Sequence, residues 1–453
     1  MSLPSLTIGM AGVSFAPFYR FEESQYRGRV AALEAFAKQL GCAVAAAPAT
    51  FSDAEGAEWA ARFLAGRAAD LVVLDVCTFP EGKAVQTFFE KLSAPLALWA
   101  RREDAEQAPI GHNSFCGANF AAGCLARLGR TCRKLYGSPG SAGFASPFKA
   151  ACRLLRAAAA ARGARIGLVG EGIVPKFHDL DVAIEHRAAL EARWQITFVP
   201  IPLDTLFREA RALDAAQVAA EAARERTAYR AVHVASDALR KQARLFLALQ
   251  HIAASRELAA LAIRCWPECQ SDFGFWPCGA VGHLNEIGVP TACEGDPGGA
   301  LDMLLASHLS RRPATLVDIV DFEDNHDAMT IWHCGPTAPS WAAGGSVDLI
   351  PHNVDGRDEH GGPRPGLPCV HDMAFEPGPI TLFRTLGALD DEFMLRGRLV
   401  PSNGTKISGC AGRLRQLHRY DRSISAAAAR DEVFARGLPH HFTAFYEAGE
   451  DAP

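Results

Sequence analysis

The first part of the chain alternates short apolar runs, typical of buried strands, with longer segments of helical period. Strands that alternate with helices in this way predict βα units and a largely parallel sheet. The predicted strands are 6–15, 43–47, 70–77 and 95–101, and the predicted helices are about 23–40, 53–66, 83–92, 117–129 and 145–162. A first α/β domain is therefore expected over residues 1–164.

A second series with the same pattern starts at Arg165. Its predicted strands are 165–170, 196–201 and 258–265, and its predicted helices are 182–194, 212–225 and 235–255. Two consecutive α/β domains, each close to the usual size of a single domain, explain this length better than one large sheet. The second domain is expected over residues 165–335.

The pattern changes after about residue 315, where long helical segments give way to short β-type runs between turns rich in Gly and Pro. The predicted strands here are 314–322, 329–333, 380–386 and 393–400, and 342–368 is expected to be a long loop. This composition is typical of an antiparallel or barrel-like domain. We therefore predict a β-rich, barrel-like C-terminal domain over residues 336–453.

Composition narrows the function classes. The 453 residues are 49% hydrophobic and 21% charged, with a formal net charge of −5, which excludes a disordered chain and argues against a nucleic-acid partner. No apolar run has the length of a membrane span, and the N-terminus lacks the basic region of a signal peptide. We expect no membrane partner and a cytoplasmic location.

Cysteine usage agrees with a reducing compartment, because the 13 cysteines are odd in number and scattered. Four of them lie close enough in the sequence to be considered as ligands of a structural zinc site: Cys265, Cys269, Cys278 and Cys293. They do not form a second close pair after the first C-x3-C, as structural zinc sites do. Buried thiols, or thiols that wall an active site, are expected instead.

Carboxylates stand in or directly after apolar strands, where an unpaired charge is costly. Glu294 follows a short strand, and Asp296 beside it is the natural N-cap of a helix from about 297. Asp318 and Asp321 lie within the next apolar run, and strand alternation puts them on opposite faces. At most one of these two aspartates should therefore join Glu294.

Histidines occupy comparable positions. His333 ends an apolar strand, and His440 and His441 precede a short β-type run. Together with the carboxylates they form an oxygen and nitrogen ligand set, which suits Mn²⁺, Mg²⁺ or Co²⁺ better than a thiolate zinc site does. Trp266 lies in an aromatic loop at a strand end that can wall a ligand site, and Asn325 lies in a polar loop.

The order of several short motifs over about residues 260–445 resembles the L-fucose isomerase / L-arabinose isomerase superfamily, especially its shorter fucose-isomerase-like members. The motifs are Cys265-Trp-Pro, Pro277-Cys278 with Leu284 and Gly288, Ala292-Cys-Glu-Gly-Asp296, Asp318, Trp332-His-Cys-Gly335, Gly378-Pro-Ile-Thr-Leu382 and Pro439-His-His441. The first 250 residues match only in their strand and helix pattern. The resemblance implies two Rossmann-like α/β domains followed by a β-barrel-type domain.

The resemblance also implies an aldose–ketose isomerase that works with a divalent metal, commonly Mn²⁺. Carried over, Glu294, Asp318 and His441 (or its neighbour His440) fall on the metal ligands, and Glu294 and Asp318 also fall on the acid–base pair. His333, Trp266 and Asn325 are expected to contact the substrate, although arabinose isomerases use a histidine in the region of His333 as a ligand. A monosaccharide partner and a homo-oligomer are expected.

Two other functions remain open from the sequence. A relative that binds sugars or regulates, without turnover, could keep the same fold, and it would be favoured if Glu294 and Asp318 did not converge. A nicotinamide-dependent oxidoreductase would need a phosphate-binding turn, but the glycine-rich segment 167–172 lacks the G-x-G-x-x-G spacing.

Overall fold

The computed structural model describes residues 4–15, 17, 19, 21–103, 110–170, 177–180, 187–352, 368–385, 392–401 and 407–447. The chain divides into two compact units, the first ending at Ala159 and the second beginning at Ala160. In the described part of the chain, no helix combines the length and the hydropathy needed to cross a bilayer.

The first unit is built on a parallel sheet with the strand order β2-β1-β3-β4-β5. Its strands are β1 (Leu6–Val13), β2 (Cys42–Ala46), β3 (Leu71–Val76), β4 (Leu96–Ala100) and β5 (Arg133–Tyr136). Its helices are α1 (Glu23–Gln39), α2 (Ala54–Ala65), α3 (Gly82–Lys91), α4 (Ser114–Arg127) and α5 (Ala142–Ala161). Strands β3 and β4 are buried along their whole length, as expected for strands covered on both faces.

The second unit starts with another parallel sheet, ordered β10-β9-β6-β7. These strands are β6 (Arg165–Val169), β7 (Thr197–Ile201), β9 (Ala260–Ile263) and β10 (Thr291–Ala292), and the short β8 (Ala231–Val232) pairs elsewhere, with β13. The helices are α6 (Arg187–Trp194), α7 (Leu203–Ala212), α8 (Ala215–Ala228), α9 (Ser236–Ser255), α10 (Cys278–Glu286) and α11 (Pro297–Ser310). Asp296 caps α11, since its side chain accepts from the backbone N–H of Gly299 at 2.8 Å.

The rest of the second unit is mainly antiparallel. Its strands are β11 (Thr315–Glu323), β12 (Ala328–His333), β13 (Asp348–Pro351), β14 (Cys369–Ala374), β15 (Gly378–Thr385), β16 (Glu392–Val400), β17 (Cys410–Arg419), β18 (Arg422–Ser423) and β19 (Phe442–Tyr446), with helix α12 (Ala426–Arg436) before the last strand. The antiparallel pairings run β12-β11-β19-β15-β16-β17, and β17 pairs with β12 again. The sheet therefore closes on itself as a ring.

The prediction of a mixed α/β chain with parallel sheets and a β-rich C-terminal part is confirmed. The division into three domains stays a prediction. The expected boundary at 335/336 lies between β12 and its partner strand β17, and between β11 and its partner strand β19. Three expectations fall partly outside the described residues: the start of the helix over 182–194, most of the loop over 342–368, and the end of the glycine-rich segment 167–172.

A polar network lies buried between the helices of the second unit. Glu225 on α8 has no exposed surface, and it accepts from Gln242 on α9 at 2.8 Å. Gln242 also donates to the hydroxyl of Tyr229, which lies 2.6 Å from a ring nitrogen of His283. Burial raises the pKa of Glu225 to about 8, so its carboxyl is mostly protonated at neutral pH.

We expect Glu225→Gln to stabilise the protein above about pH 5. Between pH 4.5, the ordinary pKa of glutamate, and about pH 8, the unfolded chain loses this proton while the folded chain keeps it, so the wild-type free energy of unfolding falls as pH rises. Gln keeps the shape without this penalty, and the gain should grow to at most about 5 kcal/mol near pH 8, at ~1.36 kcal/mol per pKa unit. Urea unfolding at pH 4, 6 and 8 measures it. An equal gain at all three pH values, or the same gain in the exposed control Glu257→Gln, would contradict the prediction.

Candidate active site

Strand pairing places several of the predicted residues at one edge of the ring. Strand β11 pairs with β19 up to Val317–Phe442 and with β12 from Asp318–Trp332 onward. His441 is the residue before Phe442, and His333 is the residue after Trp332. Asp318, His333 and His441 are therefore brought to the same level of three neighbouring strands, although 123 positions in sequence separate the first from the last.

Glu294 reaches the same place from the parallel sheet, two residues after the end of β10. Its backbone is in the left-handed region at φ 59°, which is uncommon for a residue with a side chain. The next residue, Gly295, also has a positive φ, and its N–H donates to the carbonyl of Ile263 at 2.9 Å. This turn directs the Glu294 carboxylate to 3.4 Å from Nε2 of His441. A strained turn held in this way is a common feature of functional sites.

The ring of His441 is fully buried, and Asp296 holds it through its Nδ1 atom. Its Nδ1 lies 3.0 Å from Oδ2 of Asp296, whose pKa is held well below its usual range because Arg384 and His441 outweigh the effect of burial. The ionised Asp296 can only accept, so Nδ1 of His441 donates. In the neutral imidazole Nε2 then carries the lone pair, and this buried atom has no hydrogen-bond partner among the described residues.

A second row of buried charges supports Asp296. Arg384 on β15 donates to both oxygens of Asp296, at 2.8 and 2.9 Å, and it lies 3.9 Å from Asp302 on α11. Burial raises the pKa of Asp302 to about 7, although Arg384 and Thr385 oppose that rise. Asp296 thus has three roles: it caps α11, pairs with the guanidinium of Arg384 and holds the ring of His441. An arrangement in which a carboxylate orients a histidine is typical of metal sites.

His440 is bound differently from His441. Its Nδ1 lies 2.5 Å from Asp179, and its Nε2 lies 3.2 Å from Oε2 of Glu294. Burial lowers the pKa of His440, but Glu294 and Asp179 outweigh it and the pKa rises to about 9. Both ring nitrogens of His440 therefore have carboxylate partners, whereas Nε2 of His441 has no hydrogen-bond partner in the part of the chain that the structure describes.

His333 lies on the other side of His441, with the two ring centroids 5.4 Å apart. Its Nδ1 accepts from the backbone N–H of Cys334 at 2.8 Å, and its Nε2 lies 3.2 Å from the sulfur of Cys293. Burial lowers the pKa of His333, but Cys334 and Asp318 reverse the direction and the pKa is raised. Strand pairing puts Asp318 opposite Trp332, the residue before His333.

Two groups here have potential ligand atoms that all lie within 4.8 Å of one another. The groups are Glu294, His440 and His441, and Cys293, His333 and His441. Asp318 belongs to neither group among the described residues, but its Oδ1 is buried and without a hydrogen-bond partner. The structure therefore brings Glu294 and His441 together and places Asp318 beside His333.

The two other predicted substrate residues lie in different surroundings. Trp266 is 37% exposed and follows Cys265, a buried thiol close enough to Glu294 for the carboxylate to raise the thiol pKa further than burial alone does. Asn325 is exposed, in the turn that joins β11 to β12. At about 3.3 Å per residue, the start of β12 lies roughly 17 Å from His333, so the structure does not bring Asn325 to this site.

Sequence reasoning missed several residues of the site. Arg384 appears in the sequence as one arginine inside a β-type run, and only the strand pairing shows that it faces Asp296. Asp179 lies 261 positions before His440, with no local signal to connect them. Asp296 was expected as a helix cap and is one, but it also orients His441. A polar residue inside an apolar strand, as at Arg384, is the signal that could have been used.

Comparison with known proteins points to sugar isomerases. No family model matches the chain. A sulfoquinovose isomerase of Priestia megaterium is 24% identical over 391 residues, which cover 84% of this chain and 82% of that protein. A sulfoquinovose isomerase of Alkalicoccus urumqiensis is 25% identical over 316 residues, covering 70% of this chain and 68% of that protein. These relatives confirm the prediction of an enzyme of the sugar isomerase type.

Solved structures add little. A solute-binding protein of an ABC transporter from Agrobacterium vitis, bound with alpha-D-tagatopyranose, is 13% identical and covers 68% of this chain and 90% of its own, with a TM-score of 0.18. A value this low does not indicate a shared fold.

Proposed function

We propose that this chain is an aldose–ketose isomerase that depends on a divalent cation, with Glu294 and His441 as two of the protein ligands. The observation that carries the proposal is the buried Nε2 of His441, which has no hydrogen-bond partner among the residues described and lies 3.4 Å from the Glu294 carboxylate, with Nδ1 held by Asp296. A lone pair and an anionic oxygen that face one another fit a cation between them. The oxygen and nitrogen donors favour Mn²⁺, or Mg²⁺ or Co²⁺.

Asp318 is proposed as the third ligand and, with Glu294, as the acid–base pair. Oδ1 of Asp318 is buried without a hydrogen-bond partner from any described residue, and this supports the proposal because a buried carboxylate oxygen usually has a partner. Asp318 follows Val317 and His441 precedes Phe442 in the β11–β19 pairing, and this shared level of the two strands supports Asp318 as the third ligand. His440 is the alternative histidine ligand, but the pairing of both its nitrogens with carboxylates supports His441.

The reaction moves a proton from C2 to C1 of an aldose while the proton on O2 passes to O1. When bound, the cation supplies Lewis-acid stabilisation of the negative charge that develops on the two sugar oxygens. Burial opposes ionisation of Glu294, but His440, His441 and His333 hold its pKa below the ordinary value. Glu294 is therefore an anion that can accept the C2 proton, and Asp318 is proposed as the group that exchanges a proton on the other side of the C1–C2 bond.

The proposed substrate is taken from the relatives. Sulfoquinovose is a glucose in which a sulfonate replaces the C6 hydroxyl, and its ketose has the fructose skeleton with the same C6 group. We propose that this chain converts a hexose of this class. A homo-oligomer and a cytoplasmic location also remain proposals.

A substrate panel tests the proposal. Protein stripped of metal and loaded with Mn²⁺ is incubated with sulfoquinovose, glucose, L-fucose and L-arabinose, and ketose formation is followed. Conversion of sulfoquinovose with little conversion of glucose supports both the reaction and the substrate. Conversion of another sugar in the panel instead would support the isomerase reaction and would show that the proposed substrate is wrong. If no sugar gives a ketose, the alternative function is favoured, in which the protein binds sugars without converting them.

We expect His333→Gln to reduce kcat/KM about fivefold and to leave metal binding intact. The backbone N–H of Cys334 already occupies Nδ1, so the neutral ring carries its proton on Nε2 and serves as a hydrogen-bond donor. One hydrogen bond contributes about 1 kcal/mol, and ~1.4 kcal/mol corresponds to a tenfold change in rate. Steady-state kinetics and bound Mn²⁺ per chain are measured together. Loss of the metal in this variant would show instead that His333 is a ligand.

A further inference from the structure

A second set of potential ligands lies next to the candidate active site and takes no part in the proposed reaction. The sulfurs of Cys278 and Cys334 and a ring nitrogen of His352 all lie within 4.8 Å of one another. The three residues come from separate elements: Cys278 begins α10, Cys334 follows β12 and His352 follows β13. We propose that this group is a binding site for one soft divalent cation, of which Zn²⁺ is the natural example.

The donor set selects the class of ion. Two thiolates and an imidazole favour Zn²⁺ and similar soft ions, whereas Mn²⁺ and Mg²⁺ prefer oxygen ligands. Around a tetrahedral ion with bonds of ~2.0–2.3 Å, ligand atoms lie roughly 3.5 Å apart. A group already within 4.8 Å therefore needs only small side-chain movements to close on the ion.

The surroundings of the site agree with an ion that is enclosed by protein. Cys278 and His352 are 4% and 3% exposed. The ring of Trp276 packs edge-on against His352 with centroids 4.4 Å apart, and the backbone N–H of His352 donates to the carbonyl of Pro368 at 2.8 Å. These contacts hold the histidine in place, as in metal sites whose ligands are oriented by their neighbours.

Charge balance makes the buried site possible. When Zn²⁺ binds, the two thiols lose their protons to solvent, so a charge of +2 enters and two protons leave. The net charge of the buried group is unchanged, and two protons per ion are released at a pH below the thiol pKa. Without the ion, the hydrogen bond with Cys278 and burial raise the pKa of Cys334. The bond to Cys334 acts to lower the pKa of Cys278, but burial outweighs it and this pKa is raised as well.

The site is separate from the proposed Glu294–His441 centre but adjoins it. Cys334 is the residue after His333, and its sulfur lies 3.3 Å from Nδ1 of His333. The two sites differ in donor chemistry, so each should select its own ion. Failure of the soft-ion site would leave the isomerase proposal untouched.

Cadmium titration of the full, metal-stripped chain tests the proposal, because Cd²⁺ bound to thiolates gives an ultraviolet charge-transfer band. We expect one strong site per chain, release of two protons per ion, and loss of the band in Cys278→Ser and Cys334→Ser. His352→Gln leaves both thiols and should weaken binding at least about tenfold. Thermal unfolding checks that each variant folds.

Two buried cysteines supply matched controls, Cys269→Ser outside both sites and Cys293→Ser beside His333. We expect both control variants to keep the cadmium charge-transfer band. Loss of the band in Cys293→Ser with retention in Cys278→Ser would place the ion at His333 and overturn the proposal. A band that no single variant removes, or weak binding of several ions per chain, would overturn it as well.

Discussion

Glu294→Gln should lower kcat for ketose formation by about 10²–10⁴-fold, the usual effect of losing a general acid or base. The substitution keeps the shape of the side chain and removes its charge. It also replaces an anionic oxygen, 3.4 Å from Nε2 of His441, by a neutral one, so affinity for Mn²⁺ should fall too. Ketose formation and bound metal per chain are measured on the same samples.

Glu257→Gln is the matched control for this experiment. Glu257 is an exposed glutamate that also has a left-handed backbone, at φ 53°, so the same change of charge occurs in a similar local conformation. Its activity should be unchanged. Full activity and full metal content in Glu294→Gln would contradict the mechanism and favour a sugar-binding role.

Arg384→Met should lower the free energy of unfolding by about 3–5 kcal/mol, because it leaves the carboxylate of Asp296 buried and without its cation. Asp296 has no exposed surface, and Arg384 supplies two of its hydrogen bonds, at 2.8 and 2.9 Å. Met retains the apolar stem of the side chain. Urea unfolding measures the loss, and ketose formation should fall because His441 is oriented by Asp296.

Arg396→Met provides the comparison for an exposed pair. Arg396 on β16 also binds a carboxylate through two nitrogens, that of Glu447 at 2.7 and 2.8 Å, but its side chain is half exposed. Surface pairs contribute only about 0–1 kcal/mol. Equal losses in the two arginine variants would show that the burial of Asp296 and Arg384 does not matter. Partial recovery of stability in Arg384→Met combined with Asp296→Asn would confirm the origin of the loss.

The local pattern of hydrophobic and polar residues was sufficient to predict most helices and strands of the α/β part. The alternation of apolar runs and helical segments placed β1 to β4 and α1 to α5 within a few residues, since each element buries its own apolar face. It missed β5, α7 and α10. It also could not show the closure of the ring, because the pairing of β12 with β17 joins residues far apart in the sequence.

The candidate site was predictable only in part, and for a physical reason. Three of the predicted residues are polar and lie at the end of, or inside, apolar strands: Glu294, Asp318 and His441. Burying an unpaired polar group costs free energy, so residues in such positions are expected to bind a partner or an ion. Asn325 was predicted from a polar loop, and exposed polar residues carry no such cost. The group of Cys278, Cys334 and His352 depends on three elements that only the folded chain brings together. Sequence spacing therefore could not reveal it.

Metal-dependent isomerisation is tested by following ketose formation from sulfoquinovose as a function of Mn²⁺ bound per chain, in protein first stripped of metal. We expect no activity without the ion, activity that rises in proportion to the first ion bound, and loss of both activity and bound ion in His441→Gln. Turnover that is complete in the stripped protein, or that is unaffected by His441→Gln while the metal stays bound, would contradict this expectation.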